Sequence, residues 1–446
     1  MKDKPFIVTG AIFLMLLAIF LIVLITKDDP GIIYGSSFTQ NQMLNVIRVH
    51  EAGITGVGVK IGVMDAGFDL THRCFKKIKV KAKYDFCNND TTVCLKQSET
   101  KDLVAHGTQV LSVVAGYDEG ELIGVAYDAE FYLAKSGYGL MESYIEEDLA
   151  VKAIEWLDSL DVDIITNSLK FRRFDDRPYY RAEQMDGKTA KITLAAERAF
   201  GNGKLFFTAA GNGYTDPDWE IIEPPADGVD VVAVGSVNKY RFPAYYSSCG
   251  PTVDGRIKPD FAAMGDAVYC AFIHSTVHYA NTFGTSVAAP QVAGIAALVL
   301  STHPNLTNNE VKEALINSAS KCNNPDNRIG YGIVDAMKAV SYWGPAFSNV
   351  PTVEISEDDI TISTHIISSF GIDERSVDMA YSYNGKLKTI QMARADDNVY
   401  EVVIPIDKSV NSVEYYFNAK DKRGKTTTFP SSDIQKGFKI KIKSKQ

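Results

Sequence analysis

Four polar residues of the chain stand in short glycine-containing motifs that suit acyl transfer. The first, Ser286, follows Gly284-Thr285 and precedes a predicted apolar helix from about Val287 to Ser301. Pro290 is expected in the first turn of that helix, where its missing N–H has no intrahelical role. A helix N-terminus carries partial positive charge, which favours an oxygen that develops negative charge. Taken alone, however, the stretch is equally consistent with an ordinary capped helix start.

A nucleophilic serine also needs a base, a carboxylate that orients the base, and donors for the oxyanion. His106 is predicted to open a helix, whose positive end would keep the imidazole neutral. Asp65 follows a short apolar strand, and small residues after it leave room for a neighbour. Asn212 lies in a glycine turn and could donate to an oxyanion. Singly, these residues also fit a structural histidine, a turn aspartate and a turn asparagine.

Short apolar strands alternate with helices over most of the chain. This alternation predicts an α/β fold with a parallel sheet that has helices on both faces. Ligands of such sheets bind at the carboxyl ends of the strands, where Asp65, Ser168 and Asn212 are expected. The predicted strands are 59–64, 130–134, 162–168, 205–209 and 231–235, and the predicted helices begin near residues 106, 143 and 192.

The order Asp…His…Ser and the motifs around these residues resemble those of subtilisin-like serine proteases, the subtilases or peptidase S8 family. The resemblance covers about residues 40 to 342 and is most specific in the motif from Gly284 to Gly294. It implies that Ser286 is the nucleophile and His106 the general base and acid. It also implies that Asp65 orients His106, and that Asn212 and the Ser286 backbone N–H form the oxyanion hole.

The resemblance further implies that Ser168, Leu169 and Lys170 bind substrate. In the family this run usually reads Asn-x-Ser-Leu-Gly-Gly, whereas here Lys170 and Phe171 replace the glycines. These side chains could narrow or close the pocket, or Lys170 could attract an acidic side chain. We therefore expect a serine endopeptidase. The alternatives are a catalytically silent binding or scaffolding module with an occluded cleft, and a hydrolase of non-peptide esters.

An uncharged run from Phe6 to Ile25 is long enough to span a membrane. Lysines precede it, and Lys27-Asp28-Asp29 follows it, which favours an N-terminus in the cytoplasm. The run predicts a single-pass anchor with the catalytic domain on the periplasmic or extracellular side, or a signal that is cleaved to secrete the protein. Both interpretations export the body of the protein.

Six cysteines agree with an oxidising compartment. The first choice for a disulfide is Cys87 with Cys94, and the next is Cys249 with Cys270. Buried thiols remain the alternative, because spacing does not fix the pairing.

The net charge of −9 argues against a nucleic-acid partner, and the expected partner is a peptide or protein substrate. No cofactor or metal is expected; the family resemblance allows a structural calcium ion, but no residue pattern in this chain supports one. The acidic residues Asp158, Asp161 and Asp163 are interpreted as surface charge, since no loop has a clear calcium pattern. The oligomeric state is left open by the sequence.

Three regions are predicted from changes in pattern. Residues 1–30 form the membrane or signal segment, and residues 31–345 form the catalytic domain. After a linker around residues 345–351, residues 352–446 alternate as β-strands with polar turns, which predicts a small all-β, sandwich-like accessory domain.

Overall fold

The computed structural model describes residues 30–94, 101–138, 144–176, 178–272, 275–383, 385–407, 409–430 and 436–442. The apolar run from residue 6 to residue 25 lies outside this part of the chain.

The first domain is built on a seven-stranded sheet with the order β2-β5-β1-β6-β7-β8-β9, and every neighbouring pair in it is parallel. The predicted α/β fold is therefore confirmed. The central strands consist almost wholly of buried residues because helices cover both faces of the sheet. In this domain the strands are β1 Lys60–Asp65, β2 Lys79–Asp85, β3 Tyr117–Asp118, β4 Leu122–Ile123, β5 Glu130–Lys135, β6 Ile164–Asn167, β7 Leu205–Ala209, β8 Val232–Val237, β9 Phe261–Met264, β10 Val268–Ala271 and β11 Tyr279–Thr282.

One helix, α7, runs through the core and packs against four strands of the sheet and against helix α4. It is long and apolar enough to cross a membrane, yet its residues are buried inside the protein, so it is a core helix. Helices α5 and α6 cover the opposite face. The described helices are α1 Pro30–Tyr34, α2 Phe38–Met43, α3 Val46–Glu51, α4 Lys101–Ala115, α5 Tyr144–Ser159, α6 Lys191–Gly201, α7 Thr285–Thr302, α8 Asn308–Ser318 and α9 Ala336–Val340.

The second domain consists of two antiparallel five-stranded sheets whose inward side chains share one apolar core. This arrangement confirms the predicted sandwich-like domain. Its strands are β12 Ala346–Phe347, β13 Thr352–Ile355, β14 Asp359–Ile367, β15 Asp378–Tyr383, β16 Lys386–Gln391, β17 Ala393–Asp396, β18 Val399–Pro405, β19 Ser412–Lys420, β20 Thr426–Phe429 and β21 Phe438–Lys441.

The segment between the domains contacts both of them. Phe347 pairs with β14 and stacks on Phe417 of the second domain, with ring centroids 5.9 Å apart. Its backbone N–H donates to Thr302 Oγ1 at the end of α7, at 2.9 Å. Asn349 donates to the Ser301 carbonyl at 2.9 Å. The segment is therefore packed rather than extended away from either domain.

The structure contains no disulfide bond among the six cysteines, so neither predicted disulfide, Cys87 with Cys94 or Cys249 with Cys270, is present. Cys270 lies in β10 and is fully buried in the first-domain core, whereas Cys249 Sγ lies 3.8 Å from the Glu220 carbonyl oxygen. Burial raises the pKa of the Cys270 thiol to about 12, which keeps it protonated and unreactive at neutral pH.

Candidate active site

Asp65 and His106 form a direct pair. Asp65 is the last residue of β1 and is fully buried, and its Oδ1 also accepts the Ala66 N–H at 2.8 Å. His106 Nδ1 lies 2.8 Å from Oδ1 and 3.0 Å from Oδ2 of this carboxylate. Because carboxylate oxygens accept, Nδ1 carries the proton and donates, which leaves Nε2 as the basic nitrogen.

The structure corrects the predicted position of His106 in its helix. Helix α4 begins at Lys101, so His106 lies in the second turn rather than at the N-terminus. The helix end therefore does not account for the protonation of His106. Burial lowers the pKa of the imidazole, but the charge of Asp65 and the hydrogen bond to it outweigh burial, so the pKa is raised from its usual value.

Gly107 allows the helix to approach Asp65 closely. A Cβ atom on Gly107 would lie 2.2 Å from the Gly67 carbonyl oxygen and 2.8 Å from Asp65 Cβ, both far too close. Thr108 ties the same turn to the loop after β1, because its Oγ1 accepts the Asp69 N–H at 2.8 Å. The small residues of the His106 motif thus fix the distance between α4 and β1.

Ser286 lies in the first turn of α7, and its residue is 7% exposed. The preceding Gly284 has φ +143°, a conformation that side chains rarely adopt. A Cβ atom there would lie 2.9 Å from Ser286 Oγ, 3.5 Å from Asn212 Nδ2 and 3.6 Å from the Ser286 backbone N. The serine hydroxyl and the two nitrogen atoms therefore all lie within 3.6 Å of one point.

Thr285 fixes the orientation of the Asn212 amide. Its backbone N–H and its hydroxyl donate to Asn212 Oδ1, at 2.9 and 3.0 Å. The N–H can only donate, so the amide oxygen must face Thr285. The NH₂ group of Asn212 is consequently directed towards Ser286. The sequence pattern did not single out Thr285 for this role, although it adjoins Ser286.

Pro290 was predicted in the first turn of the helix, but it is the sixth residue of α7. Its missing N–H deprives the Ser286 carbonyl of the usual i+4 donor. Ser168 Oγ donates to that carbonyl instead, at 2.8 Å. The Ser168 side chain therefore joins the end of β6 to the start of α7.

The other two predicted substrate-binding residues lie beside this junction. The Leu169 carbonyl accepts from Asn167 Nδ2 at 2.7 Å. Lys170 extends towards the segment after β7, and its Nζ lies 3.7 Å from Glu223 Oε2. Phe171 is 3% exposed and packs in the apolar layer under α5 and α6. Of the two residues that replace glycines, Phe171 is therefore buried and Lys170 is exposed.

The Tyr246 hydroxyl forms hydrogen bonds that fix the turn from Gly284 to Ser286, and no sequence motif indicated this contact. Its hydroxyl accepts the Gly284 N–H at 3.0 Å and donates to the Gly265 carbonyl at 2.5 Å. Nothing in the spacing of Tyr246 from Ser286 signals this contact, because the two are separated by a strand and a hairpin.

Within the part of the chain that the structure describes, no three His, Cys, Asp or Glu side chains are grouped so as to hold a metal ion. The acidic residues at the end of α5 and before β6 have protein partners. Asp158 accepts from Asn202 at 2.6 Å, Asp161 pairs with Lys60 and Lys204, and Asp163 accepts the Lys60 N–H at 2.8 Å.

The parallel sheet and the polar groups gathered at its carboxyl edge have the architecture of a subtilisin-like serine protease. Comparison with known proteins agrees. Residues 56–332 match the model of the Subtilase family, which is more than half of the chain. The chain belongs to the subtilase family and is a serine protease of that family.

Individual relatives extend this comparison. Subtilisin E of Bacillus subtilis (strain 168) is 28% identical over 329 residues, covering 70% of this chain and 76% of the relative. Serine protease AprX of the same strain is 31% identical over 325 residues, covering 64% and 67% respectively. Among solved structures, the MycP3 protease from the type VII (ESX-3) secretion system matches with TM-score 0.57 and 22% identity, covering 70% and 89%, which shows a shared fold.

Proposed function

We propose that the protein is a serine endopeptidase in which Ser286 attacks the scissile carbonyl. One observation carries this proposal: Ser286 Oγ, the Ser286 backbone nitrogen and Asn212 Nδ2 all lie within 3.6 Å of a single point. A carbonyl carbon beside that hydroxyl would direct its oxygen to the two nitrogen donors. The resulting tetrahedral oxyanion would be stabilised where its charge develops.

In this proposal His106 Nε2 removes the proton of Ser286 as the bond to the carbonyl carbon forms. It then gives that proton to the leaving amine, and an acyl-enzyme remains on Ser286. A water molecule, deprotonated by the same nitrogen, hydrolyses the ester and restores the hydroxyl. Asp65 accepts the Nδ1 hydrogen bond throughout and stabilises the imidazolium.

The side of the membrane on which this occurs is part of the proposal. The uncharged run from residue 6 to residue 25 supports an anchored or secreted protein, with the catalytic domain outside the cytoplasm. The silent-module alternative required an occluded cleft. It is weakened because Phe171 packs in the core, and because a half-exposed lysine is the other side chain at that wall.

A fluorophosphonate probe tests the proposal, because it reacts covalently with an activated serine hydroxyl. We expect the full chain to take up the probe, and mass spectrometry of the digest to locate the adduct on Ser286. Prior addition of a peptide aldehyde should prevent labelling. Failure to label, together with no cleavage of a random peptide library, would establish the silent binding module instead.

The oxyanion role of Asn212 has its own test. Replacing Asn212 with Leu should lower kcat about 10²- to 10³-fold with little change in KM, since the donor acts on the transition state. Thr285→Val should cost less, because the Thr285 backbone N–H still holds the Asn212 amide. Steady-state kinetics on one peptide measures both. A loss confined to KM would assign Asn212 to substrate binding instead.

A further inference from the structure

Two chain segments flank Ser286 and define where a substrate side chain can enter. Ser168 bonds to the Ser286 carbonyl, which places Lys170, two residues on, at one wall. Gly211 forms the other wall, and its N–H donates to Thr285 Oγ1 at 3.2 Å. The side chain before a scissile bond starts one atom from the carbonyl carbon that Ser286 attacks. It must therefore extend between these walls.

A buried carboxylate lies at the inner end of this gap. The Glu223 N–H donates to the Ala210 carbonyl at 3.2 Å, which holds the residue beside Gly211. Glu223 Oε2 would be 3.4 Å from a Cβ atom placed on Gly211, and the Glu223 side chain is only 4% exposed. Because Glu223 Oε2 is buried, a substrate group can reach it only after a neighbouring side chain moves aside.

Lys170 and Arg172 both place a positive charge near Glu223, but their side chains differ in burial and in partners. Arg172 is 8% exposed, its guanidinium lies 3.8 Å from the centre of the Trp219 ring, and its Nη1 is 3.7 Å from Asp216 and 3.9 Å from Glu223. Lys170 is 51% exposed, and its Nζ is 3.7 Å from Glu223. This separation exceeds hydrogen-bond distance, so the pair is looser than a directly hydrogen-bonded ion pair. The Lys170 ammonium is therefore accessible to solvent, whereas Glu223 and Arg172 are buried.

We propose that Glu223 selects a lysine or arginine immediately before the scissile bond, and that Lys170 fills this place until substrate displaces it. The inference rests on the proposed peptidase function of Ser286. The incoming cation would take over the position of the Lys170 ammonium, so the charge around Glu223 is unchanged. An acidic side chain would instead enter beside a carboxylate that is too buried to move away or be screened.

Peptides that differ only in the residue before the cleaved bond test this specificity. We expect the full chain to cleave those with Arg or Lys at least about tenfold faster in kcat/KM than those with Leu or Glu, because a buried charge partner is worth this much or more. Glu223→Gln should lower kcat/KM for the Arg peptide and leave kcat/KM for the Leu peptide little changed. Lys170→Ala should raise kcat/KM for the Arg peptide by lowering its KM. Lys81→Ala removes a comparably exposed paired lysine far from the site and should change neither.

Probe labelling and peptide preference together distinguish failure of the proposed function from failure of the specificity inference. A chain that does not label with fluorophosphonate overturns the proposed function and this inference together. A chain that labels but prefers Leu or Glu overturns the inference alone, as does an Arg preference that survives in Glu223→Gln. If that variant fails to fold, competition on the unaltered chain decides: an arginine aldehyde must block labelling at lower concentration than a leucine aldehyde.

Discussion

Replacing Ser286 with alanine should reduce kcat for peptide hydrolysis on the order of 10⁶-fold, because a triad serine and histidine act as one unit. The remaining donors would still bind and polarise a carbonyl, so KM should change little. The fold should persist, since alanine is the best helix former and the position lies in the first turn of α7. Single-turnover kinetics and thermal unfolding measure the two effects.

Ser301→Ala is the matched control for that variant. Ser301 lies on the same helix and, like Ser286, is 7% exposed. Its hydroxyl donates to the Leu298 carbonyl at 2.8 Å, so alanine should cost about 1 kcal/mol of unfolding free energy and no activity. Retention of more than about 1% of kcat in Ser286→Ala would show that a different group attacks the carbonyl.

The parts of the site that could be predicted from sequence are those fixed by local pattern. Asp65 and Asn212 were expected at strand ends because buried strands and glycine turns are visible as short runs, and the structure places them there. Carboxyl ends of parallel strands share one edge, so their proximity followed from the fold class. Whether these residues perform catalysis stays a prediction.

Local sequence patterns predicted neither the exact helix starts nor the contacts between residues that are distant in the chain. Helix α4 begins five residues before His106, and α7 begins early enough to place Pro290 in its interior. Both helix starts were predicted too late in the chain, because a glycine or a polar motif was interpreted as the start. The compensating bond from Ser168 spans 118 residues, and the Tyr246 bond to Gly284 spans 38. Neither distance leaves a periodic signal in the sequence.

The orientation of side chains in the predicted pocket wall could not be predicted from the sequence either. The replacement of two glycines by Lys170 and Phe171 raised the question of a closed cleft, but the sequence could not say where either side chain points. The Phe171 side chain lies in the core, because burial there removes more of its apolar surface from water than a polar cleft could. Lys170 keeps its ammonium near solvent and near Glu223, as long cationic side chains do.

Replacing Asp65 with asparagine should lower kcat about 10⁴-fold while preserving the shape of the site. The amide NH₂ would donate to His106 Nδ1, so the imidazole proton would move to Nε2. That nitrogen could then no longer accept the Ser286 proton. Asp69→Asn removes the same charge four residues away, where the carboxylate only bonds within the Thr71 turn, and it should retain activity.

The pH profile supplies a second test with a definite sign. Catalysis requires neutral His106, so kcat/KM of the unaltered chain should rise with pH through an apparent pKa higher than that of an ordinary histidine, because Asp65 raises the pKa of the imidazole. In Asp65→Asn the negative charge is lost, and both burial and the amide hydrogen bond to neutral Nδ1 lower that pKa. The acidic limb of the residual activity should therefore move to lower pH, while the limb of Asp69→Asn stays in place. An Asp65→Asn limb that moves upward, or does not move, would mean that another group sets the protonation of His106.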